Sequence, residues 1–312
     1  MMLLFFIETS NGEKISKPQI AYIVSDQNIP FWDIIWRGIR SRAEDLGYEA
    51  KVYSAENSAK AELQNLVKAI RDGVAGIIVS PTNSSACVTL LKLARNADIP
   101  VVIADIGTEE GEYVSYITSD NRDGAYQLGK LLARELKIHG WQNGQVGIIA
   151  IPQRRENGKQ RTAGFIKAMN EEGIQDMKIK QQETFSHQET YNFTADMIET
   201  NPDLRAIWLQ GSNRYQGALD AIHAAGKKNE ILLVTFDAEP EFIELIPEGI
   251  LVGAGMQQPF LIGEKAFDAM DNHLKGRPVT KTQQLPVLVI SAKNIAEQLP
   301  MIRKKVFGLE GH

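Results

Sequence analysis

Two aspartates hold matching places in this chain. Asp105 closes the apolar run IPVVIAD, and Asp237 closes ILLVTFD about 130 residues later. A carboxylate at a strand end accepts hydrogen bonds from hydroxyl or amine groups, and two that face each other would grip a small polar molecule from both sides. Either aspartate alone reads equally well as a strand terminator that caps the next turn. Their recurrence at one place in a repeated pattern favours a shared cleft. A third region joins them, the stretch SDQNIPFW, which carries Asp26, Asn28, Phe31 and Trp32 directly after the apolar run IAYIV. An aromatic beside polar amides at a helix start is suited to stacking on the apolar face of a ring while the amides bond its edge. Phe31 and Trp32 as ordinary core residues are the alternative.

The elements that must position these residues follow from periodicity. Short β-branched runs alternate with helical stretches: IAYIV, helix 30–46, AKVY, helix 58–72, AGIIVS, helix 84–97 and IPVVIAD. The second half repeats the plan with QVGIIAI, helix 158–172, KIKQQE, helix 188–200, AIWLQ, helix 213–225 and ILLVTFD. Strands alternating with helices imply parallel sheets covered on both faces, so the fold class is α/β with two Rossmann-like, doubly wound parallel-sheet lobes. In such sheets ligands bind outside the carboxyl ends of the strands, where Asp105, Asp237 and the SDQNIPFW loop all fall. In helix 30–46, Ile34, Ile35, Gly38, Ile39, Ala43 and Leu46 form the buried stripe, and Trp32 and Trp36 share another face. The basic run QRRENGKQR (153–161) reads either as a solvated loop or as cleft wall at the carboxyl end of QVGIIAI.

The bulk composition sets limits. With 43% hydrophobic and 23% charged residues and a formal net charge of -5, the 312-residue chain has a globular composition and no long-range attraction to nucleic acid or anionic bilayers. Cys87 is the single cysteine and reads as a small buried helix residue. The sequence lacks HExxH, GxSxG, CxxC and glycine-rich phosphate-loop patterns, so no metal, cofactor or catalytic centre is expected. Residues 1–17 carry a short apolar run and read as a leader or signal remnant, and 310–312 as a terminal scar.

The ordered segments IAYIVSDQNIPFW, AEDLGYEAKVY, GVAGIIVSPTNSSA, ADIPVVIADI, VSYITSDNRDGAYQLGKLL, GFIKAMNEEGI, GALDAIHAAGK, ILLVTFDAEPE and GAGMQQPFLIGEKAFD resemble the type I periplasmic binding proteins of the ribose and galactose class. Those share their fold with the effector domains of LacI-type repressors. The resemblance implies a three-strand hinge, with lobes at 18–119 plus 257–284 and at 120–256 plus 285–309, and crossings near 119–120, 256–257 and 284–285. It implies a ligand wall of Asn28, Phe31, Trp32, Asp105, Lys159 or Arg161, Phe185, Ser212 and Asn213 in the loop QGSN, Asp237 and Gln257. The sequence departs from the ribose pattern at Ile29, Ile106 and Gly211-Ser212. A sugar-like ligand is therefore one expectation, and an amine held by Asp26, Asp105 and Asp237 beside Trp32 and Phe185 is another.

The implied role is an extracytoplasmic, monomeric solute-binding protein that presents its ligand to a membrane permease of an ABC importer or to a sensor kinase. The competing reading, a repressor effector domain, wants a basic helix-turn-helix ahead of the first strand, and the 17 residues before Pro18 carry only two lysines. Asp105 and Asp237 as a glycosidase pair is a third reading. Because strand-end residues that face water contribute little packing, Asp237→Ala is expected to abolish binding with little loss of fold.

Overall fold

The computed structural model describes residues 17–309, so the expectations for the leader and for 310–312 fall largely outside the described residues. The first sheet gathers β1 (Gln19–Val24), β2 (Glu49–Ser54), β3 (Gly76–Ser80), β4 (Val101–Ala104), β5 (Ser115–Ser119) and β11 (Thr282–Leu285) in the order β2-β1-β3-β4-β5-β11. The second gathers β6 (Gln145–Ala150), β7 (Met177–Gln181), β8 (Leu204–Leu209), β9 (Leu232–Phe236), β10 (Gly253–Met256) and β12 (Leu288–Ser291) in the order β7-β6-β8-β9-β10-β12. All pairings are parallel except β10 with β12, which is antiparallel.

Strands β3 and β4 are buried throughout, which is why GIIVS and VVIA run apolar instead of alternating. Each fully buried Ile or Val there, such as Ile77, Ile78 and Val79, adds about 1.5–3 kcal/mol. The helices follow the strands: α1 (Pro30–Leu46), α2 (Ala59–Arg71) and α3 (Ser84–Asn96) in the first lobe, then α4 (Asn121–Ile138), α5 (Glu156–Glu171), α6 (His187–Thr200), α7 (Tyr215–Ala224) and α8 (Phe242–Leu245) in the second. After β10 comes α9 (Pro259–Leu274), which packs on α1, and the chain ends with α10 (Ile295–Met301) and a π-helical turn at Ile302–Val306.

The chain therefore changes sheets three times: at Asp120 between β5 and α4, at Gln257-Gln258 between β10 and α9, and at Pro286-Val287 between β11 and β12. The third crossing lies slightly beyond 284–285, because Leu285 still pairs with Ser119 in the first sheet.

The helices that follow the first two crossings are set by glycine contacts. A methyl group at Gly38 of α1 would overlap the Phe260 carbonyl of α9, and one at Gly263 of α9 would overlap the Ile35 carbonyl of α1. In the second lobe, one at Gly164 of α5 would overlap the Arg122 carbonyl of α4. Backbones approach this closely only without Cβ atoms.

Candidate ligand site

Asp105 and Asp237 follow β4 and β9 and share an unusual backbone. Their φ angles are 67° and 70°, in the left-handed region that aspartate tolerates better than most residues. That turn swings both carboxylates out of the strand line and toward the gap between lobes. Strain retained at the same place in both lobes marks this gap as the functional region.

The second-lobe wall is built around Arg161, which is 2% exposed. Its Nε donates to Asn121 Oδ1 at 2.8 Å and its Nη1 to the Gln210 carbonyl at 2.6 Å, and Nη1 lies 3.5 Å from Asp237 Oδ2. The guanidinium also covers the Phe236 ring at 4.0 Å. Gln257, at the second crossing, donates to Asp237 Oδ1 at 2.5 Å. Burial pushes the Asp237 carboxyl up, and Arg161 and Gln257 pull it back. Asp237 is thus tied to a buried cation rather than facing water alone. This overturns the expectation that Asp237→Ala spares the fold.

The first-lobe wall is different. The Asp105 backbone carbonyl is held by the Tyr116 hydroxyl at 2.8 Å, but its carboxylate finds a partner only in the other lobe, where Asn157 Nδ2 sits 3.4 Å from Oδ2. Glu156 N–H donates to Ser84 Oγ at 3.4 Å nearby, so the first turn of α5 bridges the cleft. Asp105 is 2% exposed, and its Oδ1 has no partner among the described residues. Burial pushes this carboxyl up to about 7, with Arg161 lowering it and Asp237 raising it further.

Phe185 (φ 54°) is held by Glu189 in the first turn of α6, whose carboxylate accepts the Phe185 N–H at 2.8 Å and also those of Glu183 and Thr184. Arg155 lies over the Phe185 ring at 5.5 Å, and its Nε is buried without a partner among the described residues. A small cavity of about 50 Å³ between the lobes is lined by Phe31, Ser212, Asn213, Asp237 and Gln257 among others. Ser212 Oγ donates to Glu239 Oε1 at 2.8 Å, and burial raises the Glu239 carboxyl to about 7.

Four sequence candidates do not join this group. Trp32 is 4% exposed and packs in the first lobe's core, edge-on to Phe31 at 5.1 Å, because the helix start turns only Phe31 outward. Lys159 is exposed beside Glu156, since two residues along a helix from Arg161 it points away from the cleft. Asp26 is occupied in folding its own loop, where it accepts from the Asn28 backbone and from Asn57 Nδ2, each at 3.0 Å, and Asn28 is exposed. Sequence reasoning missed Asn121 and Glu239, took Gln210 only as part of the loop QGSN, and took Arg155 and Asn157 only as part of a run that could equally be a solvated loop. Within the basic run QRRENGKQR, Arg155, Asn157 and Arg161 turn toward the facing lobe or Asp237, while Arg154 and Lys159 are exposed.

The model of the periplasmic binding protein domain matches residues 20–278. The chain belongs to the periplasmic binding protein family. This binding protein is 30% identical over 271 residues to the ribose import binding protein RbsB of Escherichia coli K12, covering 87% of the chain and 90% of the relative. It is 28% identical over 288 residues to RbsB of Bacillus subtilis 168, covering 91% and 90%. Among solved structures it superposes with TM-score 0.85 and 22% identity on a carbohydrate transporter solute-binding protein from Agrobacterium radiobacter in complex with D-arabinose, covering 94% of this chain and 99% of that one. A solute-binding protein from Actinobacillus succinogenes with bound D-allose gives TM-score 0.83 at 22% identity, covering 90% and 100%. Its curated relatives are binding proteins, and the role of this chain is binding rather than catalysis.

Proposed function

We propose that this chain is the extracytoplasmic solute-binding component of an ABC importer, that it acts as a monomer, and that it encloses a neutral, polyhydroxylated sugar between its lobes. The observation that carries this reading is that buried polar atoms of both walls and the hinge, Asp105 Oδ1, Arg155 Nε and Gln257 Oε1, have no partner among the described residues. Buried groups of this kind are costly unless a ligand completes them, and two acceptors with one donor match hydroxyl groups. Charge favours a sugar over an amine. Asp105, Asp237 and Glu239 face Arg155, Arg161 and Arg214, and burial raises the Asp105 and Glu239 carboxyls to about 7, so the cleft holds no excess of negative charge to draw a cationic ligand. The relatives named for ribose import and the neighbours holding D-arabinose and D-allose support the ligand class and the permease partner.

The test is a thermal-shift screen on protein unfolded and refolded to strip carried-over ligand, against pentoses, hexoses, cyclitols and small amines. A sugar at 100 times its Kd should add about 2.7 kcal/mol of stability. Stabilisation by amines alone, or by nothing in the panel, would refute the reading. Light scattering checks the monomer, and co-purification with the permease checks the partner.

A further inference from the structure

The first crossing turns on one residue. Asp120 donates its N–H to the Leu285 carbonyl of the first sheet at 2.8 Å, while its own carbonyl accepts the Gly124 N–H at 2.9 Å and its Oδ1 caps α4 through the Asp123 N–H at 3.0 Å. The chain before its Cα is thus held by the first lobe and the chain after it by the second. Only its own φ and ψ, -72° and 76°, are left to change when the lobes move. Among the described residues, one hydrogen bond within this segment joins the two sides of the pivot: Asn121 Nδ2 donates to the Ser119 carbonyl at 3.0 Å. The other end of the same amide, Oδ1, accepts Arg161 Nε at 2.8 Å. Arg161 in turn meets Asp237, and Asp237 meets Gln257 at the second crossing.

We infer that Asn121 is a positioning residue that couples the ligand wall to the hinge: its amide holds the Asp120 pivot at the angle that brings the lobes into contact, and passes any displacement of Arg161 to that pivot. A guanidinium only donates and a backbone carbonyl only accepts, so the place between them needs a side chain with one acceptor and one donor. An amide supplies both, and an ionised carboxylate supplies only the first. Asn121 is fully buried, so losing either bond leaves a polar group without water to replace its partner. The inference concerns the hinge and does not depend on which ligand the cleft takes.

Small-angle scattering of the ligand-free protein at pH 8, with urea unfolding alongside, provides the test. Asn121→Asp keeps an acceptor for Arg161 but turns an oxygen toward the Ser119 carbonyl, so it cuts the pivot bond alone. Asn121→Ala cuts both bonds and should lose more stability, because it strands Arg161 Nε in a buried site. Both variants should nevertheless open to the same larger radius of gyration. An asparagine with a merely structural role would instead open the protein only in step with lost stability. Arg161→Lys, which takes Nε away from the amide, should also open the protein, and combining it with Asn121→Asp should open it no further. An Asn121→Ala protein as compact as the wild type, an Asn121→Asp protein that stays compact while Asn121→Ala opens, an Arg161→Lys protein that stays compact, or openings that add up in the double variant would each overturn the inference.

Discussion

The two walls of the cleft carry the same strand-end aspartate in the same left-handed conformation, yet only one wall is finished by its own lobe. Asp237 meets Arg161 inside the second lobe, and Arg161 is in turn fixed by Asn121 and Gln210. Asp105 has its carbonyl fixed at home but its carboxylate bonded only by Asn157, from across the cleft. One wall is preorganised, while the other is completed by the approach of its opposite. Such an asymmetry suits binding by closure: a ligand settled on the preorganised wall would give the other wall a surface to complete.

The contrast is easiest to break by removing each carboxylate. Asp237→Ala leaves the Arg161 guanidinium buried without its ion-pair partner and should cost about 3 kcal/mol of stability in urea unfolding. Asp105→Ala should cost under about 1 kcal/mol by the same measurement, since its carboxylate forms no direct ion pair among the described residues and feels Arg155 and Arg161 only at longer range. Equal losses would mean the walls are energetically alike. In binding the two converge, because each carboxylate offers two acceptors to hydroxyls. Asp105→Ala should weaken the sugar about a hundredfold by calorimetry, with the melting temperature of the ligand-free protein lowered by no more than about 4 °C.

A smaller effect separates the walls by pH. Asp105 is buried against the facing lobe, burial is the main cause that raises its carboxyl to about 7, and separating the lobes is expected to expose it. The closed form therefore holds a proton that the open form gives up. Closure of the ligand-free protein is favoured most below the ordinary carboxylate range and loses that support as pH rises through about 7. Small-angle scattering should show a more compact ligand-free protein at pH 5.5 than at pH 8, and Asp105→Asn should flatten the trend. Smallest of all, Asn157→Ala should loosen the sugar a few-fold, mainly through faster release, with no change in stability. A change in stability instead would place Asn157 in the finished wall.

The two lobes and both aspartates were legible because strand–helix alternation and its repetition are written along the chain. Arg161 was legible only as one of a pair with Lys159. Residues two apart on a helix face nearly opposite ways, and the sequence alone does not say which one the cleft takes. Trp32 was ambiguous for a related reason: an aromatic pair at a helix start presents one ring to the core, and packing decides which. Asn157 and Arg155 were visible only as members of a basic run that could equally be solvated, and Glu239 stayed hidden, since their partners come from the other lobe or from distant loops. Contacts of that kind depend on the three crossings and leave no periodic trace.

The glycine contacts between α1 and α9 and between α4 and α5 have a mechanical consequence. Helices α9 and α4 begin directly after the second and first crossings, and each is seated without intervening side chains on the helix that opens its lobe's wall. Rotation at the crossings is therefore geared to the walls with almost no slack. Occupancy of the cleft is expressed on the outer surface as a single angle between two stiff bodies, and a membrane partner that touches both needs to read only that angle.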